Sequence, residues 1–115
     1  MEIDIRHKDG VVIIKPRGKL IGDAAVEFKK IIDEQIARLG DSPRLLFDFA
    51  DVDMMGSSGL GALMAAHVMV QRQKGFAALI NVGQNVQNLM VRSRLLDTFE
   101  HFDSEAEAIE ALMAD

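Results

Sequence analysis

No cysteine occurs anywhere in the 115 residues. Disulfides, thiolate catalysis and cysteine-ligated metal are excluded at once, although the absence by itself says little about compartment. Tryptophan and tyrosine are missing too, which leaves six phenylalanines as the only aromatics. Stacking on bases or sugars would rest on phenylalanine alone, and such ligands become less expected. Positive charge is scarce: 13 Lys and Arg stand against 18 Asp and Glu, a formal net charge of −5. Lys29-Lys30 is only a pair, so the basic patch of a nucleic-acid binder is lacking. No apolar run approaches the roughly 18 residues needed to cross a bilayer. The N-terminal Met-Glu-Ile-Asp-Ile-Arg has neither the basic nor the apolar region of a signal peptide. A cytoplasmic protein is expected, with no nucleic-acid partner and no direct membrane insertion.

Hydrophobic residues make up 49% and charged residues 27% of the chain. That composition and length suit one domain with a real core, spanning residues 1–115. Residues 2–7 alternate apolar and polar, the period of a half-buried strand. Asp9-Gly10 is a hairpin signal, and Val11-Val12-Ile13-Ile14 reads as a second, more deeply buried strand. Pro16 limits pairing on one side. A short extended or looped link follows from Gly18 to Gly22. Asp23 is the expected N-cap of a helix over 24–39. Ala25, Phe28, Ile32, Ile36 and Leu39 form its apolar stripe, and Gly40 its C-terminal glycine. A strand is expected over 45–49, a loop over 50–55, a long helix after it, and a strand over 76–80. A short helix over 84–93 would turn Val86, Leu89 and Met90 inward. An edge strand over 98–102 follows, then a helix entered through the capping box Ser104 to Glu107. A hairpin followed by strand–helix alternation implies an α/β fold: a mixed sheet of four to five strands covered by about four helices.

The stretch that carries the functional argument is Met55-Gly56-Ser57-Ser58-Gly59-Leu60-Gly61. It lies between a strand and a helix, where backbone N–H groups lack partners and the helix dipole favours negative charge. Phosphate motifs are therefore tried first. Gly56 and Gly61 have P-loop spacing, but Ala62 and Leu63 stand where Lys and Ser or Thr are required. Gly59-Leu60-Gly61 begins a dinucleotide fingerprint, but Met64 takes the third glycine position. A nucleophile elbow around Ser58 fails at Leu60. His7, His67 and His101 show no ligand spacing, and His67 reads as a packed or partner-facing side chain. Asp48, Asp51 and Asp53 resemble the start of a calcium loop but lack the rest of it, so a solvated acidic loop is expected. No enzyme is expected, and no cofactor or metal. Nucleotide binding at the turn stays as a weak third reading.

Serine before a helix is most often a cap. Two adjacent serines weaken that reading, because one suffices: if Ser57 caps, the Ser58 hydroxyl is free to project. The helix beyond has no charged residue from Gly59 to Val70, and its apolar residues cover more than one face. It is either buried on both sides or exposes a contact patch. Met54, Met55, Met64 and Met69 would suit an adaptable protein-binding surface.

The run from Leu45 to Leu63, centred on Ser57-Ser58-Gly59-Leu60-Gly61, resembles the signature of STAS domains, in particular bacterial anti-sigma factor antagonists. The resemblance extends over the N-terminal hairpin, the Gly18-Lys19-Leu20 link and the ending Phe102 to Ala108. It implies the STAS fold and a partner-switching module without catalytic activity. The implied partner is an anti-sigma factor with a GHKL-type serine kinase domain, which phosphorylates Ser58 and so ends the complex. A PP2C-type phosphatase would restore it. Ser57 is then the cap, and the implied partner-binding set is Met54, Met55, Gly56, Ser57, Ser58, Gly59, Leu60, Gly61 and Met64. Two positions depart from the family pattern. Gly56 stands where Asp usually precedes the serines, and Ile21 stands where many members have Asp. They keep open an alternative, a STAS scaffold or interaction subunit that is never phosphorylated. That alternative covers a stressosome-like, secretion or motility regulator, or a lipid-transport complex component.

Overall fold

The computed structural model describes residues 2–114. In chain order its elements are β1 (Ile3–Lys8), β2 (Val11–Pro16), β3 (Gly18–Leu20), α1 (Gly22–Leu39), β4 (Arg44–Asp48), β5 (Val52–Met55), α2 (Ser57–Arg72), β6 (Phe76–Ile80), α3 (Gln84–Arg92), β7 (Glu100–Phe102) and α4 (Glu105–Met113). A 3-10 turn at Leu96–Thr98 precedes β7. Asp9 and Gly10 both take positive φ, 52° and 83°. That pair of angles makes the tight turn which folds β1 back on β2.

The main sheet has the order β1-β2-β4-β6-β7. Only β1–β2 is antiparallel; β2–β4, β4–β6 and β6–β7 are parallel. β2 and β4 read as unbroken apolar runs because both of their faces are covered. Val12, Ile14, Leu45, Phe47 and Leu79 point to one face, which α1, α2 and α3 cover. Val11, Ile13, Leu46, Ala78 and Ile80 point to the other, where Ala108, Ile109 and Leu112 of α4 meet them. Pro16 closes β2 beyond its pairing with β4, which ends at Ile14. The missing N–H therefore faces no ladder partner on that side.

α1 buries Ala25, Phe28, Ile32 and Ile36, as its stripe predicts, and half-buries Leu39. Phe28 meets Phe47 and Phe49 edge-on at 5.9 and 6.4 Å. Gly40 ends the helix at φ 68°. Asp23 does not cap it. The helix begins at Gly22, its N-cap residue is Ile21 without a side-chain cap bond, and Asp23 falls in the first turn. The chain enters the helix through Gly22 at a positive φ, 53°, a turn open to glycine. In α3, Val86 and Met90 are buried and Leu89 packs partly against the core. The serine half of the expected capping box forms: the Glu107 N–H donates to Ser104 Oγ at 3.2 Å.

The link after Pro16 takes its extended alternative as β3, and the stretch expected as a loop over 50–55 contains the strand β5. β3 and β5 pair in parallel, Lys19 beside Met54 and Leu20 beside Met55, as a separate two-stranded sheet. The acidic loop also needs correcting at Asp48, which is only 6% exposed. Its Oδ1 accepts from the Ala50 N–H and from Asn81 Nδ2, each at 3.0 Å. It ties the end of β4 to the end of β6, in the side-chain-to-backbone turn that Asp favours. Asp51 and Asp53 are exposed.

Candidate partner-binding surface

The small sheet positions the serine turn. β5 runs into Gly56, whose extended backbone (φ −95°, ψ −178°) makes it the N-cap of α2. The Gly56 N–H donates to the Leu20 carbonyl at 3.1 Å. That bond fastens the mouth of α2 to β3. Gly59 is held closer still: a Cβ there would lie 2.6 Å from the Leu20 oxygen and 2.9 Å from Met55 Cγ. The second glycine of the motif is thus fixed by close approach of backbone to backbone.

Ser57 is not the cap. It is the first residue of the helix, and the N-cap is Gly56, with no side-chain cap bond. Strand pairing holds β5 up to Met55, and the Gly56 N–H is already taken by Leu20, so the helix starts one residue earlier than a serine cap would require. Ser57 and Ser58 are both exposed. The α2 first turn also holds no acidic residue.

The helix resolves the choice between double burial and an exposed patch. Gly59, Leu60, Ala62, Leu63, Ala66 and Val70 face the core. Ser58, Gly61 and Val68 are exposed and Ala65 is half-buried, a series at helical spacing with no charge on it. Val68 is 42% exposed. The expected partner-binding set therefore divides. Met54, Ser57, Ser58 and Gly61 are exposed, and Gly56 and Met64 are half-buried. Met55 and Leu60, each 6% exposed, and Gly59 lie in the core, although Met55 also reaches the floor of the hollow beside α3. They are required for the shape beneath the surface.

Several surface residues were not legible in the motif. α3 lies beside β5, with Asn85 Nδ2 donating to the Asp53 carbonyl at 3.3 Å. Met54, Asn88, Leu89 and Arg92 line a shallow hollow of about 270 Å³ there. Ile21 stands on the other side, its Cγ2 only 3.0 Å from where a Gly56 Cβ would be. The two positions that depart from the family pattern are thus neighbours in space. His67 packs edge-on to Phe99 at 5.1 Å. Among the described residues no group of three His, Asp or Glu side chains could hold a metal ion, and no helix is long and apolar enough to cross a membrane.

Residues 2–108 match the family model described as STAS domain. The chain is 25% identical over 112 residues to the anti-sigma F factor antagonist of Paenibacillus polymyxa, covering 97% of this chain and 95% of that protein. A candidate anti-sigma factor antagonist from Thermotoga maritima superposes with a TM-score of 0.86 at 24% identity, over 96% of this chain and 93% of that one. The anti-sigma factor antagonist SpoIIAA is similar in its unphosphorylated form, with a TM-score of 0.77, 19% identity, and 99% and 100% of the two chains covered. Its phosphorylated form from Bacillus gives 0.73 at 19% identity, covering 96% and 98%.

Proposed function

The chain belongs to the STAS domain family, and on that premise we propose that it is an anti-sigma factor antagonist that works by binding rather than by catalysis. Its partner is an anti-sigma factor with a GHKL-type serine kinase domain, met in the cytoplasm, and Ser58 is the residue whose charge decides the complex. The observation that carries this reading is the exposed, uncharged face of α2 that begins at two free-standing serines. The similarity to a curated antagonist over nearly the full length of both chains supports it.

The chemistry follows from position. A phosphoryl group on Ser58 would add about −1.5 to −2 charges. At the first turn of α2 the helix dipole and the unpaired N–H groups stabilise it, so the domain stays folded. On a surface of Gly61, Ala65 and Val68 the same charge must be stripped of water when a partner docks. That can cost several kcal/mol, enough to dissolve a micromolar complex. A PP2C-type phosphatase then returns the binding form. SpoIIAA, solved in both forms, shares this chain's fold in each.

A second reading is supported by two features: the first turn of α2 has no acid, and Ile21 fills the space beside Gly56. A constitutive STAS interaction module, never phosphorylated, would suit that mouth. The two readings separate in one experiment. The purified protein is incubated with each anti-sigma kinase of its own organism and ATP, and phosphate is mapped by mass spectrometry. Stoichiometric modification at Ser58 supports the switch; a stable complex with no phosphate supports the constitutive module.

A further inference from the structure

β1 is the end strand of the main sheet, paired to β2 along one edge. The phase of that pairing is fixed at its foot, where the Arg17 N–H donates to the Glu2 carbonyl at 3.0 Å. In an antiparallel pair each residue turns its N–H and C=O to the same side, and neighbours alternate. Glu2, Asp4, Arg6 and Lys8 therefore bond inward to β2, while Ile3, Ile5 and His7 turn their N–H and C=O off the open edge. Pro16, which has no N–H to give, stands opposite Ile3, as this phase requires. Among the described residues no strand covers that open edge. Ile3 and Ile5 are only half-buried, and the rest of β1 is exposed.

Charge says what fits there. Sheet edges are commonly guarded against pairing by charged side chains. In Glu2-Ile3-Asp4-Ile5-Arg6-His7-Lys8, however, the charges are opposite in sign about Ile5. A second copy laid antiparallel, with the two Ile5 residues side by side, brings Asp4 opposite Arg6 and Glu2 opposite Lys8, twice over. The backbone phase allows only registers that pair Ile3, Ile5 and His7 among themselves. Sliding to the next allowed register sets Asp4 against Asp4 in one direction and Arg6 against Arg6 in the other, like charges directly opposed. One register satisfies both backbone and charge. Around the strand, Arg6 and Lys8 stand against Glu105, and Arg17 against Glu2 and Asp4. Acids and bases are balanced at this edge, although the chain carries −5. We propose that β1 is the pairing edge for a second copy of this chain, joined antiparallel about a two-fold axis at Ile5 into one continuous sheet. Every outward N–H and C=O of Ile3, Ile5 and His7 then finds a partner, and the two Ile5 side chains pack across the new strand pair. None of these residues belongs to the Ser58 surface, and the inference stands independently of the antagonist reading.

Light scattering over a range of protein concentration, with melts in parallel, tests the pairing. The wild-type chain is expected to pass from monomer to dimer as concentration rises. Asp4→Arg makes the central cross-strand pairs cationic, and Arg6→Asp makes them anionic. Each alone is expected to weaken self-association about tenfold or more and to keep a cooperative melt. Mixed one to one, the two variants are complementary again, and a mixed dimer of wild-type strength is expected; misfolded chains gain nothing by mixing. A wild type that stays monomeric overturns the proposal. So do single variants that dimerise like the wild type, and a mixture no more associated than its components. The register has its own readout, because the chain holds no other cysteine. Ile5→Cys is expected to cross-link to its own copy on oxidation, since hydrogen-bonded partners have Cα atoms about 5.5 Å apart. His7→Cys lies opposite Ile3 and is expected to cross-link far more slowly. Equal rates at the two positions overturn the register.

Discussion

Two helices of this chain begin with serine, and they begin in opposite ways. At α4, Ser104 stands outside the helix, accepts the Glu107 N–H at 3.2 Å, and is followed by two glutamates in the first turn. The serine cap and the first-turn charges both follow the local rules for a helix N-terminus. At α2 the cap is Gly56, the serines lie inside the helix, neither serves as the cap, and the first turn has no acid. The α4 mouth is built for stability. The α2 mouth leaves hydroxyls and N–H groups unspent, and its stability is supplied from elsewhere, by the Leu20 carbonyl and the β3–β5 pair. The same residue type is structural in one place and available in the other, and only the geometry distinguishes them.

Substitutions at the two helix mouths test this contrast. The largest effect is expected at Gly59→Ala, because the obstacle is the Leu20 backbone oxygen at 2.6 Å and cannot swing away. Destabilisation of about 3 kcal/mol, the upper end for overpacking, should appear as a lower urea midpoint at unchanged slope. Next comes Ser104→Ala, expected to cost about 1 kcal/mol by loss of the cap. A value near zero would remove the contrast between the two mouths. Gly61 is the counterpart of Gly59 two residues on, with nothing within 4 Å of a Cβ. Gly61→Ala should therefore stabilise the protein by about 0.8 kcal/mol through helix propensity and weaken partner binding, since the fold has no use for that glycine. The smallest effect is expected at Ser58→Ala, within about 0.5 kcal/mol of wild type in the same melts, as befits an exposed residue that is not a cap.

Much of the architecture was legible because its signals are local. The Asp9-Gly10 turn, the Ala25 to Ile36 stripe and the Ser104 cap each announce themselves within a few residues. The β3–β5 pair does not. Each strand is only three or four residues long, Val52 and Met55 are buried while Asp53 and Met54 are exposed, and the partner lies far away in sequence. No period survives in so short a segment. The caps of α1 and α2 were misplaced for the same reason, since Leu20 and Gly22 decide where those helices start. Asp48 reads as one of three loop acids, and only the fold brings Asn81 to it. At the candidate site the motif pointed to Ser58 and Gly61 on the surface, but it could not separate them from the buried Met55, Gly59 and Leu60. Helix phase relative to the sheet settles that division, and tertiary packing sets the phase.

On the proposed reading Ser58 is a charge switch on a surface and not a support of the fold. Calorimetric titration of the anti-sigma kinase with unmodified and Ser58-phosphorylated protein tests it most directly, with both forms melted alongside. Phosphate is expected to weaken binding by about a hundredfold or more, several kcal/mol of desolvation, while the melting temperature moves by only a few degrees. Equal affinity of the two forms, or a loss of binding that tracks unfolding of the phosphorylated protein, would contradict it.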